Sequence, residues 1–137
     1  MNTRSLAESY LKKALDRLDV LDLLFNKGAF SDVIREAQEI VELSLKGMLR
    51  FVGVEPPKIH DVGSLLLEHA DKYPKDVSVR LKELADISKA LRRERELAFY
   101  GDIDFIPTEE YSSRDAQKAI RDARLAAETA HKTIRPQ

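Results

Sequence analysis

Lys89, Arg92, Arg93, Arg95 and Tyr100 fall within twelve consecutive residues, and they are the side chains best suited to hold or accept a phosphate. On a helix, with about 1.5 Å rise per residue, Arg92 to Tyr100 occupy roughly three turns. Arginine suits phosphate because its planar fork donates two parallel hydrogen bonds. Arg95 also falls in step with Val77, Leu81, Leu84, Ser88, Leu91 and Ala98, so the spacing places it along the apolar side of its helix. A guanidinium there needs a carboxylate from another helix, a carbonyl or a bound phosphate, because an unpaired buried charge is costly. Two readings therefore stand side by side: an ion pair between helices, or an anion site lining a groove. Tyr100 is a poor general base, with an ordinary pKa of about 10. It can pack its ring on the core as a helix-end residue. Alternatively, because Gly101 follows it, the helix can fray there and leave the hydroxyl reachable as an acceptor.

Other chemistry is thinly represented. His60, His69 and His131 are scattered without metal-ligand spacing, and there is no cysteine, so neither a zinc site nor thiol catalysis is expected. His60 stands beside Asp61, where it would bond a loop carbonyl. No glycine-rich phosphate loop, Gly-x-Ser-x-Gly elbow or aspartate-rich calcium loop occurs. No metal and no cofactor are expected.

Helices must position these residues. Leu11, Ala14, Leu18, Leu21 and Phe25 form one apolar face, ended by Lys27-Gly28. Phe30, Val33, Ile34, Ala37, Val41, Leu45, Met48, Leu49 and Val52 form a second and broader one, closed by Gly53. The segment 54–60 contains Pro56-Pro57 and reads as a loop. Asp61 caps a short connector helix carrying Val62, Leu65, Leu66 and His69, which stops before Pro74. A long fourth helix is expected from about Asp76 to Tyr100, then a loop over 102–111. A last helix starts at Ser112 or Ser113, with Ala116, Ala119, Ile120, Ala123, Ala127, Ala130 and Ile134 on one face. No strand alternation or repeat appears. The expectation is an all-α, up-down bundle of about five helices, one of them a short connector, as a single domain over 1–137.

The 137 residues can bury a core without staples. The charged N-terminal run MNTRSLAESYLKKALDR does not resemble a signal peptide, and no window is apolar enough to span a membrane, so a cytoplasmic protein is expected. A net charge of −1 supplies no global attraction for nucleic acid, and the 89–95 run is the local basic patch. Charged residues make up 34% of the chain while Asn and Gln are scarce, a balance that leans toward a thermophilic source.

The second helix resembles the central signature of HEPN (higher eukaryotes and prokaryotes nucleotide-binding) domains, roughly Ala-Gln-x-x-x-Glu-x-x-x-Lys-x-x-Leu. Here the signature is carried by Ala37, Gln38, Glu42, Lys46 and Leu49. Gly53 after this helix, and His60 followed by Leu65 and Leu66, resemble the next family elements. Arg95-Glu96-Leu97-Ala98-Phe99-Tyr100 is similar to the Arg-x-x-Ala-x-Tyr element of one prokaryotic branch. The likeness runs from about Leu6 to Ile134.

The resemblance implies a homodimer, with Ser88, Arg92 and Arg95 lining the seam. It implies an interaction module that works with a separately encoded minimal nucleotidyltransferase, in a toxin-antitoxin-like system, and that binds a nucleotide through Arg92, Arg93, Arg95, Tyr100 and His60. In some HEPN toxins an Arg-x4-His-x-Tyr motif presents its tyrosine for nucleotidylation, and Arg93-x4-Ala98-x-Tyr100 keeps the Arg and the Tyr. A second reading is a metal-independent ribonuclease. In those relatives an Arg is followed by a His that exchanges a proton with the 2′-hydroxyl or leaving oxygen. Here Arg95 is followed by Tyr100, and no His lies between His69 and His131. A third reading is a small nucleotide- or RNA-binding helical protein without catalysis.

Overall fold

Apolar residues at helical spacing, with few breakers between them, fold the chain into helices joined by short turns. The computed structural model describes residues 3–56, 58 and 61–134. Its helices are α1 (Thr3–Asn26), α2 (Phe30–Phe51), α3 (Val62–Glu68), α4 (Lys75–Ser78), α5 (Leu81–Phe99), α6 (Pro107–Glu110) and α7 (Ser113–Thr133), with a 3-10 turn at Ala70–Lys72. The long helices α1, α2, α5 and α7 form the all-α bundle, and the described residues contain no strand.

Helix α2 is the centre and packs on α1, α5 and α7. Arg17 meets Glu36 while Gly47 lies against Ala7, so α1 and α2 run antiparallel. Arg92 meets Glu42 while Arg95 meets Glu39, so α5 is antiparallel to α2 as well. The broad apolar face of α2 is buried through Val33, Ile40, Leu45, Met48 and Leu49. Helix α7 presents alanines at 116, 119, 123, 126, 127 and 130, all buried, whose small side chains let its backbone approach α2 closely.

Two boundaries differ from the sequence expectation. The fourth helix does not run from Asp76 to Tyr100 in one piece. Arg80 N–H bonds Val77 O at 2.9 Å, a three-residue closure that ends α4 and lets α5 start at Leu81. Both Val77 and Leu81 thereby reach the core. The expected loop over 102–111 holds the one-turn helix α6, which has Pro107 in its first turn, where a missing N–H costs nothing. Gly101 does more than end α5. Its φ is +72°, and an added Cβ would overlap Phe105 O and lie 2.6 Å from Pro107 Cδ. The start of α7 is set by Ser112, whose hydroxyl accepts from Asp115 N–H while Asp115 accepts from Ser112 N–H.

The connector is pinned to α2 by Tyr73, which is buried and donates its hydroxyl proton to Met48 O at 2.8 Å. Burial raises the Tyr73 pKa far above the ordinary tyrosine value, and burial together with the nearby Glu94 does the same for Tyr111. A phenol whose folded pKa is raised stabilises the fold while neutral in both states. That contribution is lost once pH rises past the unfolded value of about 10. Tyr73→Phe is expected to cost about 1 kcal/mol at neutral pH and to flatten the loss of stability above pH 10. Urea denaturation across pH 8 to about 11 checks both effects.

Candidate functional site

The face between α2 and α5 is a rail of alternating charge. Gln38, Glu42 and Lys46 recur every four residues on α2, which puts them on one stripe facing α5. Gln38 is buried, and Glu42 is largely buried. Glu42 is shared by Lys46 Nζ at 3.4 Å and Arg92 Nε at 3.7 Å. One step further along, Glu39 is shared by Arg95 at 3.1 Å and Arg35 at 3.6 Å. Two carboxylates thus serve four cations, and the rail stays net positive.

The sequence expectation put Arg95 along the apolar side, and the structure corrects this. Arg95 is about half exposed, while Leu91 and Ala98 on the same helix are buried. At about 100° per residue, Arg95 is rotated roughly 40° from Leu91 toward α2, enough to leave the core for the carboxylate edge. Among the described residues its ion-pair partner is Glu39 of α2. Glu94 instead accepts the Tyr111 hydroxyl at 2.6 Å.

Arg92 and Arg93 face a second neighbour. With Lys89 they line a cleft of about 320 Å³ against Asp61. Asp61 is held in place because its carboxylate caps α3, accepting from Gly63 N–H at 3.0 Å and from Ser64 Oγ. Arg93 is exposed and has no ion-pair partner among the described residues. His60 lies outside the described residues.

Tyr100 is the C-cap of α5 and is 71% exposed, so its ring does not rest on the core. It stands edge-on to Phe99, with ring centroids 4.8 Å apart, and Phe99 in turn lies under the Arg35 guanidinium at 4.7 Å. Of the four tyrosines, Tyr73 is buried and Tyr10 and Tyr111 are partly covered, leaving Tyr100 as the exposed one. Phe99, Tyr100, Ile103 and Ile106 form an apolar tip at this end of the bundle, beside the acidic Asp102 and Asp104.

The structure therefore distributes the predicted residues. Arg92 and Arg95 share the rail, Arg92 and Arg93 share the cleft, and Tyr100 stands at the end of the same helix. Arg35 and Glu39 were not singled out from sequence, although their four-residue spacing marks them as neighbours on one face. Among the described residues no group of His, Asp and Glu is gathered as metal ligands, and no helix is long and apolar enough to cross a membrane.

The sequence profile of the HEPN domain matches residues 7–132 of the chain. No curated protein and no solved structure shows significant similarity to it.

Proposed function

Because the chain belongs to the HEPN domain family, we propose that it is a non-catalytic interaction module that serves as partner and substrate of a minimal nucleotidyltransferase in a toxin-antitoxin-like system. The observation that carries this reading is Tyr100, the one exposed tyrosine, standing at the end of the helix that bears Arg92, Arg93 and Arg95. The arginines would hold the phosphates of the incoming nucleotide. The tyrosine oxygen would attack the α-phosphorus, losing its proton and displacing pyrophosphate. Ribonuclease chemistry is less well served, because α5 carries no histidine and Tyr100 is a poor general base. Incubation with a minimal nucleotidyltransferase from the same source and ATP should add the mass of a nucleotidyl group. An unchanged mass, with the transferase active on another substrate, would leave the cluster a structural role only.

We further propose a homodimer joined at the apolar tip and not along Ser88, Arg92 and Arg95, because Ser88 is buried and the two arginines are paired with α2 of their own chain. Two copies related by a two-fold axis would bury Ile103 and Ile106 against one another and leave Tyr100 and the arginines of α5 open to the transferase. Light scattering at micromolar concentration should give twice the chain mass, and Ile103→Glu should halve it. A wild-type chain of monomeric mass refutes the dimer.

A further inference from the structure

The bundle has one seam that is not closed. Helices α5 and α7 both pack on α2 but touch each other only sparsely. Between them lie two cavities of about 420 and 620 Å³ that share Ala90, Lys118 and Asp122, so they form one continuous groove. Its floor is apolar, with Ile34, Ile87, Ala90, Leu91 and Phe105. One end is closed by the Phe105–Tyr111 ring pair. The groove extends from Val79, just before α5, to Glu94 on it, fifteen residue steps or about 22 Å. That length matches a helix of about four turns.

The rims decide the charge of the occupant. Six carboxylates and two lysines line them, a net charge of −4 on a chain whose total is −1. Both lysines are already committed: Lys82 to Asp86 at 2.8 Å and Lys118 to Asp122 at 2.7 Å. Glu94 is satisfied by a neutral hydroxyl and so keeps its full charge toward the groove.

We infer that the α5–α7 groove docks a basic amphipathic helix of about fifteen residues from a partner protein. An amphipathic helix fills such a groove with apolar anchors at positions i, i+3, i+4 and i+7 while its flanks meet the rims. A second copy of this chain does not supply that helix. Its exposed apolar ridges are themselves acidic: Val20 and Leu23 lie among Asp16, Asp19 and Asp22, and Ile103 lies between Asp102 and Asp104. Like charges would face each other across the seam.

The test uses the full chain and two fluorescein-labelled helical peptides of about 16 residues, long enough to span the groove. They share one leucine stripe and carry either lysine and arginine or glutamate on the flanks. Fluorescence anisotropy should show micromolar binding of the basic peptide, weakened by about tenfold or more when salt screens the rims, and no binding of the acidic one. Ala90 is exposed on the groove floor, so Ala90→Arg fills and recharges the groove without disturbing the core. This variant should keep the wild-type melting temperature and lose about tenfold or more in peptide affinity, about 1.4 kcal/mol. Equal binding of both peptides, no binding of the basic peptide, or undiminished binding by Ala90→Arg would each overturn the inference. Conversion of a dimer to a monomer by Ala90→Arg would also overturn it, by assigning the groove to a second copy.

Discussion

Gly63→Ala should lower the stability of the protein by about 1–3 kcal/mol, the usual cost of forcing a methyl group into a packed interior. The same change in an open helix would add roughly 1 kcal/mol, so the sign itself is diagnostic. Gly63 is buried at the start of α3, where an added Cβ would lie 2.6 Å from Ala85 Cα and 2.8 Å from Ala85 Cβ. The first obstacle is backbone, which cannot swing aside as a flexible side chain would. Relief requires α3 to lift from α5, and α3 carries the Asp61 cap that walls the cleft holding Arg92 and Arg93. Chemical denaturation of the variant beside the wild type measures the loss. A gain in stability would mean that α3 is not seated on α5 as described.

Tyr100→Phe is the second variant with a large expected effect, and the effect is confined to function. It removes one hydroxyl from a ring that is 71% exposed, so the stability should stay within about 0.5 kcal/mol of wild type. Nucleotidyl transfer to the chain should be abolished, because no acceptor oxygen remains at the end of α5. Two of the other tyrosines are closed to the reaction, and Tyr10 lies partly covered on α1. Tyr73 is buried with its hydroxyl on Met48 O, and the Tyr111 hydroxyl is held by Glu94, with burial and that carboxylate both opposing its ionisation. Arg95→Ala should weaken the transfer without eliminating it, because Arg93 and Arg35 remain at the same end. Intact-mass measurement after incubation with transferase and ATP reads all of these. An unchanged yield from Tyr100→Phe would place the acceptor elsewhere.

The long helices were legible because apolar side chains recur at helical spacing and glycine ends each run. Gly28, Gly53 and Gly101 mark the ends of α1, α2 and α5 within a residue or two. The split between α4 and α5 was not legible, since 76–81 contains neither glycine nor proline and a three-residue closure at Arg80 leaves no compositional trace. The site was half readable. The four-residue repeat of Gln38, Glu42 and Lys46 belongs to α2 alone and can be read there. That Glu39 and Glu42 face Arg95 and Arg92 depends on the register of two helices whose paired residues lie 50 and 56 positions apart in the chain. Arg95 was misplaced by treating a step of four as an exact return to the same face. Tyr100 was placed between two readings, and its 71% exposure shows that the ring does not rest on the core and leaves the hydroxyl reachable.

On the proposed reading, the glutamates of the α2–α5 rail would make it selective by valence. Any anion that enters there must replace a carboxylate tethered to the same fold, and a tethered competitor acts at a high effective concentration. Chloride or acetate offers one charge, the same as the glutamate it would displace, and gains nothing by the exchange. A polyphosphate brings several charges on adjacent oxygens and can engage Arg92, Arg95 and Arg35 together, each of them a fork that prefers a paired acceptor. If the cluster binds phosphate as proposed, the rail should stay closed to the small anions that dominate any buffered solution and open to ligands whose charges are covalently clustered.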